Sequence, residues 1–244
     1  MKKWTNLLWS VVCMIPTISI AQTTELMWAH SHGSINPDMT LSTVLDENGA
    51  IYSTGHYNNG VNFGTGDDVL NIGGGNIFIQ KLNGEGELVW VKNLSQTYIT
   101  ATVYYNPAQG TGITLDSDNN IITTGDFRVE LDFDPGDGEY ILDPDGDTDV
   151  FIQKMDADGA FLWAIQIGDS GLDKANAIVT DNEDNIYVTG TFNGIVDFDT
   201  DPDNELLLDA HVIAGEWDTA ATFILKLDAD GNTIWAHGIP NNDK

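Results

Sequence analysis

Basic residues are the scarcest chemistry in this chain: nine Lys and Arg stand against 38 Asp and Glu in 244 residues. A formal charge of −29 repels nucleic acid and anionic membrane surfaces, so neither is an expected partner. Cysteine occurs once, at Cys13, so no disulfide can close within the chain and stability must come from packing or from bound cations. No segment beyond residue 21 keeps a 3.6-residue apolar period, which leaves almost no helix to expect. The apolar run Leu7 to Ile20 is broken by Pro16 and Ser19 and is too short for a good membrane span.

That run has another meaning. Lys2 and Lys3 precede it and Ser19-Ile20-Ala21 closes it, the pattern of a secretory signal peptide cleaved after Ala21. Val12 is a poor substitute for the small residue that lipoprotein cleavage at Cys13 needs. The expectation is therefore an exported chain, secreted or at the cell surface, with no membrane insertion after cleavage. Without Lys2 and Lys3, seven basic residues remain against 38 acidic ones, a formal charge of −31. A hydrophobic fraction of 41%, with nine Phe, seven Tyr and seven Trp, is too rich for a disordered acidic tail. The acids must decorate turns around a core.

What is present in abundance is repetition, which decides the fold before any other signal. A strand ends in Asp and a four-residue turn leads to Ile at 46–51, 116–121 and 181–186. The next strand ends in Thr-Gly at Gly55, Gly125 and Gly190. An aromatic follows two residues on (Tyr57, Phe127, Phe192) and a Phe eight residues on (Phe63, Phe133, Phe198). Phe-Ile-x-Lys then recurs, ending at Lys81, Lys154 and Lys226, with a Trp nine residues later: Trp90, Trp163 and Trp235. Gly86, Gly159 and Gly231 sit four residues before those tryptophans, in turns where glycine supplies a positive φ. The β-branched and aromatic runs between the turns read as strands. Each unit has room for four antiparallel strands, and such a sheet buries both faces only by stacking on its neighbours, as in a propeller.

The pattern resembles the seven-bladed β-propeller (SBBP) repeat family of exported Bacteroidetes-type proteins. The carrying residues are Asp-Asn-Ile-Tyr-Val-Thr-Gly at 184–190, Val-Asp-Phe-Asp at 196–199 and the segment from Phe223 to Trp235. The resemblance implies a surface or secreted propeller and no particular activity. The expected fold is all-β, a partial β-propeller of about three four-stranded antiparallel blades plus an orphan N-terminal outer strand. That strand is Leu26-Met27-Trp28-Ala29-His30, which matches Thr233-Ile234-Trp235-Ala236-His237. The division is 1–21 signal peptide, 22–33 orphan strand, 34–94, 95–168 and 169–240 as blades 1 to 3, and 241–244 as a truncated end. Three blades cannot close a ring, which takes typically 4–8. Further blades beyond Lys244 are expected, completed by the orphan strand as a latch; self-association into a ring is the alternative.

Two acidic ladders are the candidate chemistry: Asp143, Asp145, Asp147 and Asp149, and Asp197, Asp199, Asp201 and Asp203. Alternating carboxylates in a loop can wrap Ca²⁺, the cofactor they suit, although the EF-hand spacing is absent. The alternative is solvated turn residues that keep an exported chain soluble. Lys81, Lys154 and Lys226 are expected in a repeated ion pair between strands or blades, and the tryptophans in packing.

Nothing points to catalysis. The five histidines lack ligand spacing, and there is no Gly-x-Ser-x-Gly elbow or phosphate loop. The sialidase Asp box and the quinoprotein repeat both fail to match in spacing. Two connections per unit vary in length and two are constant, which puts the variable ones on one face, unless Asn193-Gly194 starts an extra hairpin that disturbs it. A protein or glycan partner is expected there, near Tyr98, Tyr104, Tyr105 and both ladders. The functional expectation is a non-catalytic adhesion or scaffold module; the alternative is the repeat region of an exported hydrolase whose catalytic part is missing from this chain.

Overall fold

A turn recurs six times and sets the frame of the molecule. In the computed structural model, residues 38–58, 61–63, 69–70, 75–96, 107–214 and 220–239 are described. At Asp46, Asn83, Asp116, Asp156, Asp181 and Asp228 one side-chain oxygen accepts the amides of the second and fourth following residues. The residue three beyond each is left-handed: Gly49, Gly86, Asn119, Gly159, Asp184 and Gly231, with φ between 61° and 87°. Glycine, Asn and Asp are the residues that adopt this conformation at least cost, so local chemistry alone reverses the chain here.

These turns join strands into three sheets. In blade 1, β1 (Met39–Leu45) and β2 (Ile51–Asn58) lead through a ribbon, β3 (Val61–Asn62) and β4 (Val69–Leu70), to β5 (Gly75–Leu82) and β6 (Leu88–Gln96). Blade 2 repeats this with β7 (Ala108–Leu115), β8 (Ile121–Phe127), the ribbon β9 (Leu131–Asp132) and β10 (Ile141–Leu142), β11 (Asp149–Met155) and β12 (Phe161–Ile167). Blade 3 has β13 (Lys174–Thr180), β14 (Ile186–Phe192), the ribbon β15 (Ile195–Asp197) and β16 (Leu207–Asp209), one helical turn α1 (Ala210–Ala214), β17 (Ala221–Leu227) and β18 (Thr233–Ile239). All pairings within a blade are antiparallel, and the β9–β10 ribbon of blade 2 pairs with β6, extending the first sheet to six strands. The fold is an open partial β-propeller, without a closed barrel among the described residues.

The first strands β1, β7 and β13 adjoin one another, and the Trp-bearing β6, β12 and β18 are the last, outer strands of their own blades. Each first strand carries a bulge, at Thr40/Ser42, Gly110/Gly112 and Ala175/Ala177. The recurring Thr-Gly explains itself here. A Cβ on Gly55, Gly125 or Gly190 would collide with the carbonyl of Met39, Gln109 or Lys174 beside the bulge.

Cores lie between blades. Tyr52, Ile77, Ile79 and Leu94 of blade 1 meet Phe127, Phe133 and Phe151 of blade 2, and Ile122, Val150, Ile152 and Ile167 meet Phe192, Phe198 and Phe223 of blade 3. The three phenylalanines of blade 2, and likewise those of blade 3, form a tilted and edge-on cluster with ring centroids 5.0–6.4 Å apart. Burying one such ring contributes about 1.5–3 kcal/mol. In blades 2 and 3 the Phe eight residues past the Thr-Gly is thus the plug that the ribbon inserts between sheets.

Candidate functional site

The repeated lysine and tryptophan meet at the junctions. Lys81 Nζ donates to the Ala157 carbonyl at 3.3 Å and Lys154 Nζ to the Ala229 carbonyl at 2.9 Å, each in the last hairpin of the following blade. The ring of Trp90 comes within 3.4 Å of where a Cβ on Gly159 would stand, and that of Trp163 within 3.3 Å of the Gly231 position. The hairpin glycine therefore serves twice, for its φ and for its bare face under a tryptophan.

An ion pair is present in two of the three lysine positions. Lys154 Nζ is 2.9 Å from Asp116 with both side chains nearly sealed, and Lys226 Nζ is 3.8 Å from Asp181 at a more open site. Among the described residues Lys81 has no carboxylate within 4.0 Å; its ammonium lies 5.0 Å from the Tyr52 ring, as that of Lys226 lies 5.1 Å from Tyr187. What the two closed junctions share is the hydrogen bond to the next hairpin. Burial pushes the Asp116 carboxyl up, but hydrogen bonds from Asn120 and Lys154 outweigh it and hold the group below its usual range. Asp181, bonded by the Asn185 side chain above all, is drawn down to about 2.

The opposite, variable end gathers carboxylates. The first ladder curls inward so that Asp149 is fully buried, its Oδ2 accepting the Asp145 amide and Gln166 Nε2. Asp173, 1% exposed, accepts amides from Asn193 and Asp169. Burial raises Asp149, with the charges of Asp145 and Asp169 adding to it. Burial likewise raises Asp173 to about 6, helped by Asp149 and Asp169. Asp149 Oδ1 and the Thr148 hydroxyl are buried and find no partner among the described residues. Sequence reading missed Asp169 and Asp173. A signal existed for the latter: Asp38 and Asp173 both stand eight residues before a turn aspartate, and both accept from the residue after the second strand or its last residue, Asn193 and Asn58.

The second ladder goes elsewhere. Asp199, Asp201 and Asp203 follow one another as acceptor and donor, each amide bonding the side chain two residues earlier, and Asp197 also accepts from Leu206. Thr200 donates to the Gly231 carbonyl and Thr233 to that of Phe198. The tip of this loop therefore lies against the last hairpin, at the end of the fixed turns, and not with the first ladder as the connection lengths imply. The cause is the β15–β16 ribbon after Asn193-Gly194, which folds the connection back along its own blade. Among the described residues no three His, Cys, Asp or Glu side chains converge to hold a metal ion.

A polar cleft of about 350 Å³ opens where β6 faces the loop after β9, lined by Lys92, Asn93, Ser95, Asp132, Asp134 and Gly136. His56 is buried, with neither ring nitrogen hydrogen-bonded among the described residues; desolvation lowers its pKa, against the pull of Asp38. Tyr98, Tyr104, Tyr105, Trp28, the orphan strand 22–33, the leader 1–21 and the end 241–244 lie outside the described residues. Among those described, no helix is long and apolar enough to cross a membrane.

Three like sheets, joined by repeated junctions around adjoining first strands, define a β-propeller repeat protein. Comparison agrees: residues 162–195 match the SBBP β-propeller repeat model, a stretch running from β12 through β13 and β14 into the third blade. A 101-residue stretch is 35% identical to an uncharacterized WD repeat-containing protein, L264, of Acanthamoeba polyphaga mimivirus. That alignment covers 36% of this chain and 7% of the viral protein, so the chain corresponds to a small part of that relative.

Proposed function

We propose that this chain is a non-catalytic β-propeller module, exported by its leader, that presents the variable-connection end of its blades to a protein or glycan partner. The observation that carries this reading is the asymmetry between the two ends. At one end, six turns are built alike and their side-chain oxygens are consumed by their own backbone amides. At the other, the connections differ from blade to blade, and Asp145, Asp149, Asp169 and Asp173 collect there, burial and the neighbouring carboxylates raising Asp149 and Asp173. Loops held by a rigid scaffold are where recognition is placed. A strongly acidic end suits a partner with cationic groups or many hydroxyl donors.

Binding of the purified chain to arrayed glycans and to extracellular proteins tests this. Asp145→Asn with Asp169→Asn is expected to weaken the binding that is found, and Glu47→Gln with Asp158→Asn, at the fixed turns, to leave it unchanged. Equal loss in both pairs refutes the assignment of the face. Turnover of any arrayed substrate by the chain refutes the non-catalytic reading.

A further inference from the structure

The outer rim differs between the two junctions. The β9–β10 ribbon meets β6 only at Ser95 and Gln96, and past Asp132 the chain leaves the strand, so a cleft of about 350 Å³ opens beside residues 91–95. That volume lies near the lower end of the roughly 300–1,000 Å³ of small-molecule sites. Lys92, Asn93 and Ser95 line it from the strand, and Asp132, Asp134 and Pro135 from the loop. Counted from the Trp and from the Thr-Gly, the same places at the second junction are Ile165, Gln166, Gly168, Asp197, Asp199 and Thr200.

The second junction commits its side chains to the protein itself. Ile165 packs on the core between blades 2 and 3. Gln166 donates to the Asp143 carbonyl and to Asp149, and Thr200 donates to the Gly231 carbonyl. At the first junction the corresponding groups stay open. Pro135 has neither an amide hydrogen nor a hydroxyl with which to close on the hairpin. The Lys92 stem runs over Gly159, where an added Cβ would lie 2.9 Å from Cε, and among the described residues its ammonium has no carboxylate within 4.0 Å. The Tyr57 hydroxyl donates to Asn93 Oδ1 at 2.7 Å, which leaves the amide nitrogen to donate elsewhere. Asp132 Oδ1 takes the amides of Asp134 and Tyr140, and Asp134 Oδ1 takes that of Gly136. The second oxygen of each carboxylate accepts no hydrogen bond among the described residues.

We infer that this cleft binds a neutral sugar, a pyranose unit with free hydroxyls. A hydroxyl both donates and accepts, so it needs the two kinds of group interleaved. Lys92, Asn93 and Ser95 supply donors, and Asp132 and Asp134 supply acceptors. An anionic ligand would satisfy Lys92 but meet two carboxylates in a chain of formal charge −29, and a cationic one would meet the ammonium. Val91 and Pro135 give the C–H face of a ring an apolar surface. A peptide added to the edge of β6 would need side-chain pockets alternating along the strand, whereas both walls here are polar. The cleft runs beside the fixed hairpin of blade 2 and is not lined by Asp145, Asp149, Asp169 or Asp173. The inference therefore does not rest on a partner at the variable end.

Saturation-transfer NMR on the full chain tests this, with the methyl glycosides of glucose, galactose, mannose and N-acetylglucosamine at millimolar concentration. Galacturonate serves as the anionic probe and trialanine as the peptide. Transfer to at least one neutral glycoside is expected. Lys92→Ile installs the residue of the second junction, and Asp134→Asn keeps the bond to the Gly136 amide. Each is expected to raise the Kd about tenfold, the loss of one hydrogen bond to a charged group. Asp199→Asn, the same change at the second junction, is expected to leave the Kd unaltered. Thermal melts confirm that the variants fold, and Asp134→Asn decides alone where Lys92→Ile does not. The inference is overturned by transfer to none of the neutral glycosides, or by transfer to galacturonate or trialanine alone. A Kd that neither cleft substitution moves, or that Asp199→Asn moves as much, overturns it as well.

Discussion

Replacing Lys154 by Met asks how much a junction lysine contributes. Its ammonium lies 2.9 Å from Asp116 Oδ2 and 2.9 Å from the Ala229 carbonyl, with side chains 9% and 3% exposed for Lys154 and Asp116. Methionine keeps the length and the apolar stem but strands the carboxylate. Removing one partner of a buried pair costs about 3–5 kcal/mol. Asp116 keeps donors from the Asp118 and Asn120 amides and from Asn120 Nδ2, which argues for the lower end. At about 3 kcal/mol, a chain of this size should melt roughly 6–12 °C lower. The Asp116 carboxyl lies below 3.8 in the native chain, so its contribution is present above that pH and fades as pH falls. Without Lys154 that group rises, and the gap between variant and parent should narrow in acid. Lys226→Met, at a 3.8 Å pair in a more open site, should lower the melting temperature far less than Lys154→Met. Thermal melts at pH 7 and pH 3.5 decide the matter. Equal shifts for the two variants, or a loss at Lys154 below about 1 kcal/mol, would refute the reasoning.

Gly190→Ala should cost about 3 kcal/mol in chemical denaturation, since its Cβ meets the Lys174 carbonyl and lies 2.7 Å from the Phe223 ring. Gly49→Ala, with φ at +84° and nothing within 4 Å, should cost only about 1 kcal/mol of backbone strain. Asp173 acts on pH in the opposite sense to Asp116: with its native value near 6 against 3.8, the native state binds the extra proton, so stability is lost as pH rises from about 4 through 6. The loss is at most about 3 kcal/mol, and Asp173→Asn should flatten that limb of a melting-temperature profile; an unchanged slope would exclude Asp173 as its source. Asp199→Asn with Asp201→Asn should leave the melting temperature unaltered, because an amide oxygen accepts the same backbone bonds. A calcium-dependent rise in melting temperature that this pair abolishes would show that the ladder serves a cation instead.

The repeat was readable from sequence wherever the cause was local. Asp or Asn, two residues, a left-handed position and a strand are enough to specify a turn. Asp116, Asp181 and Asp228 therefore stand where their spacing implied. The aromatic offsets were equally visible, because each blade needs the same three rings. Less was readable where the cause lay in another blade. Of Lys81 and Lys154, both expected in ion pairs, only Lys154 forms one, and what the two share is a carbonyl some 75 residues away that carries no signature of its own. The β3–β4 and β9–β10 ribbons hid because two-residue strands have no detectable alternation, whereas Asn193-Gly194 hinted at the β15–β16 ribbon that moved the second ladder to the other end. Asp149 read as a rung of an acidic ladder, around Ca²⁺ or in solvent, and is fully buried, with Gln166 bonded to it and Gly168 against it.

The division between junction and loop also governs what resemblance can convey. The matched stretch 162–195 contains Trp163, Asp181 and Gly190, which respectively cover the next hairpin, cap a turn and admit a bulge. Each is required by stacking one blade on another, whatever the molecule binds. The stretch excludes residues 143–149 and 197–203, whose lengths and charges no junction constrains. Two propellers with unrelated partners would therefore match through the same positions. The partner has to be sought in what the repeat does not repeat, beginning with the carboxylates of the 143–149 segment.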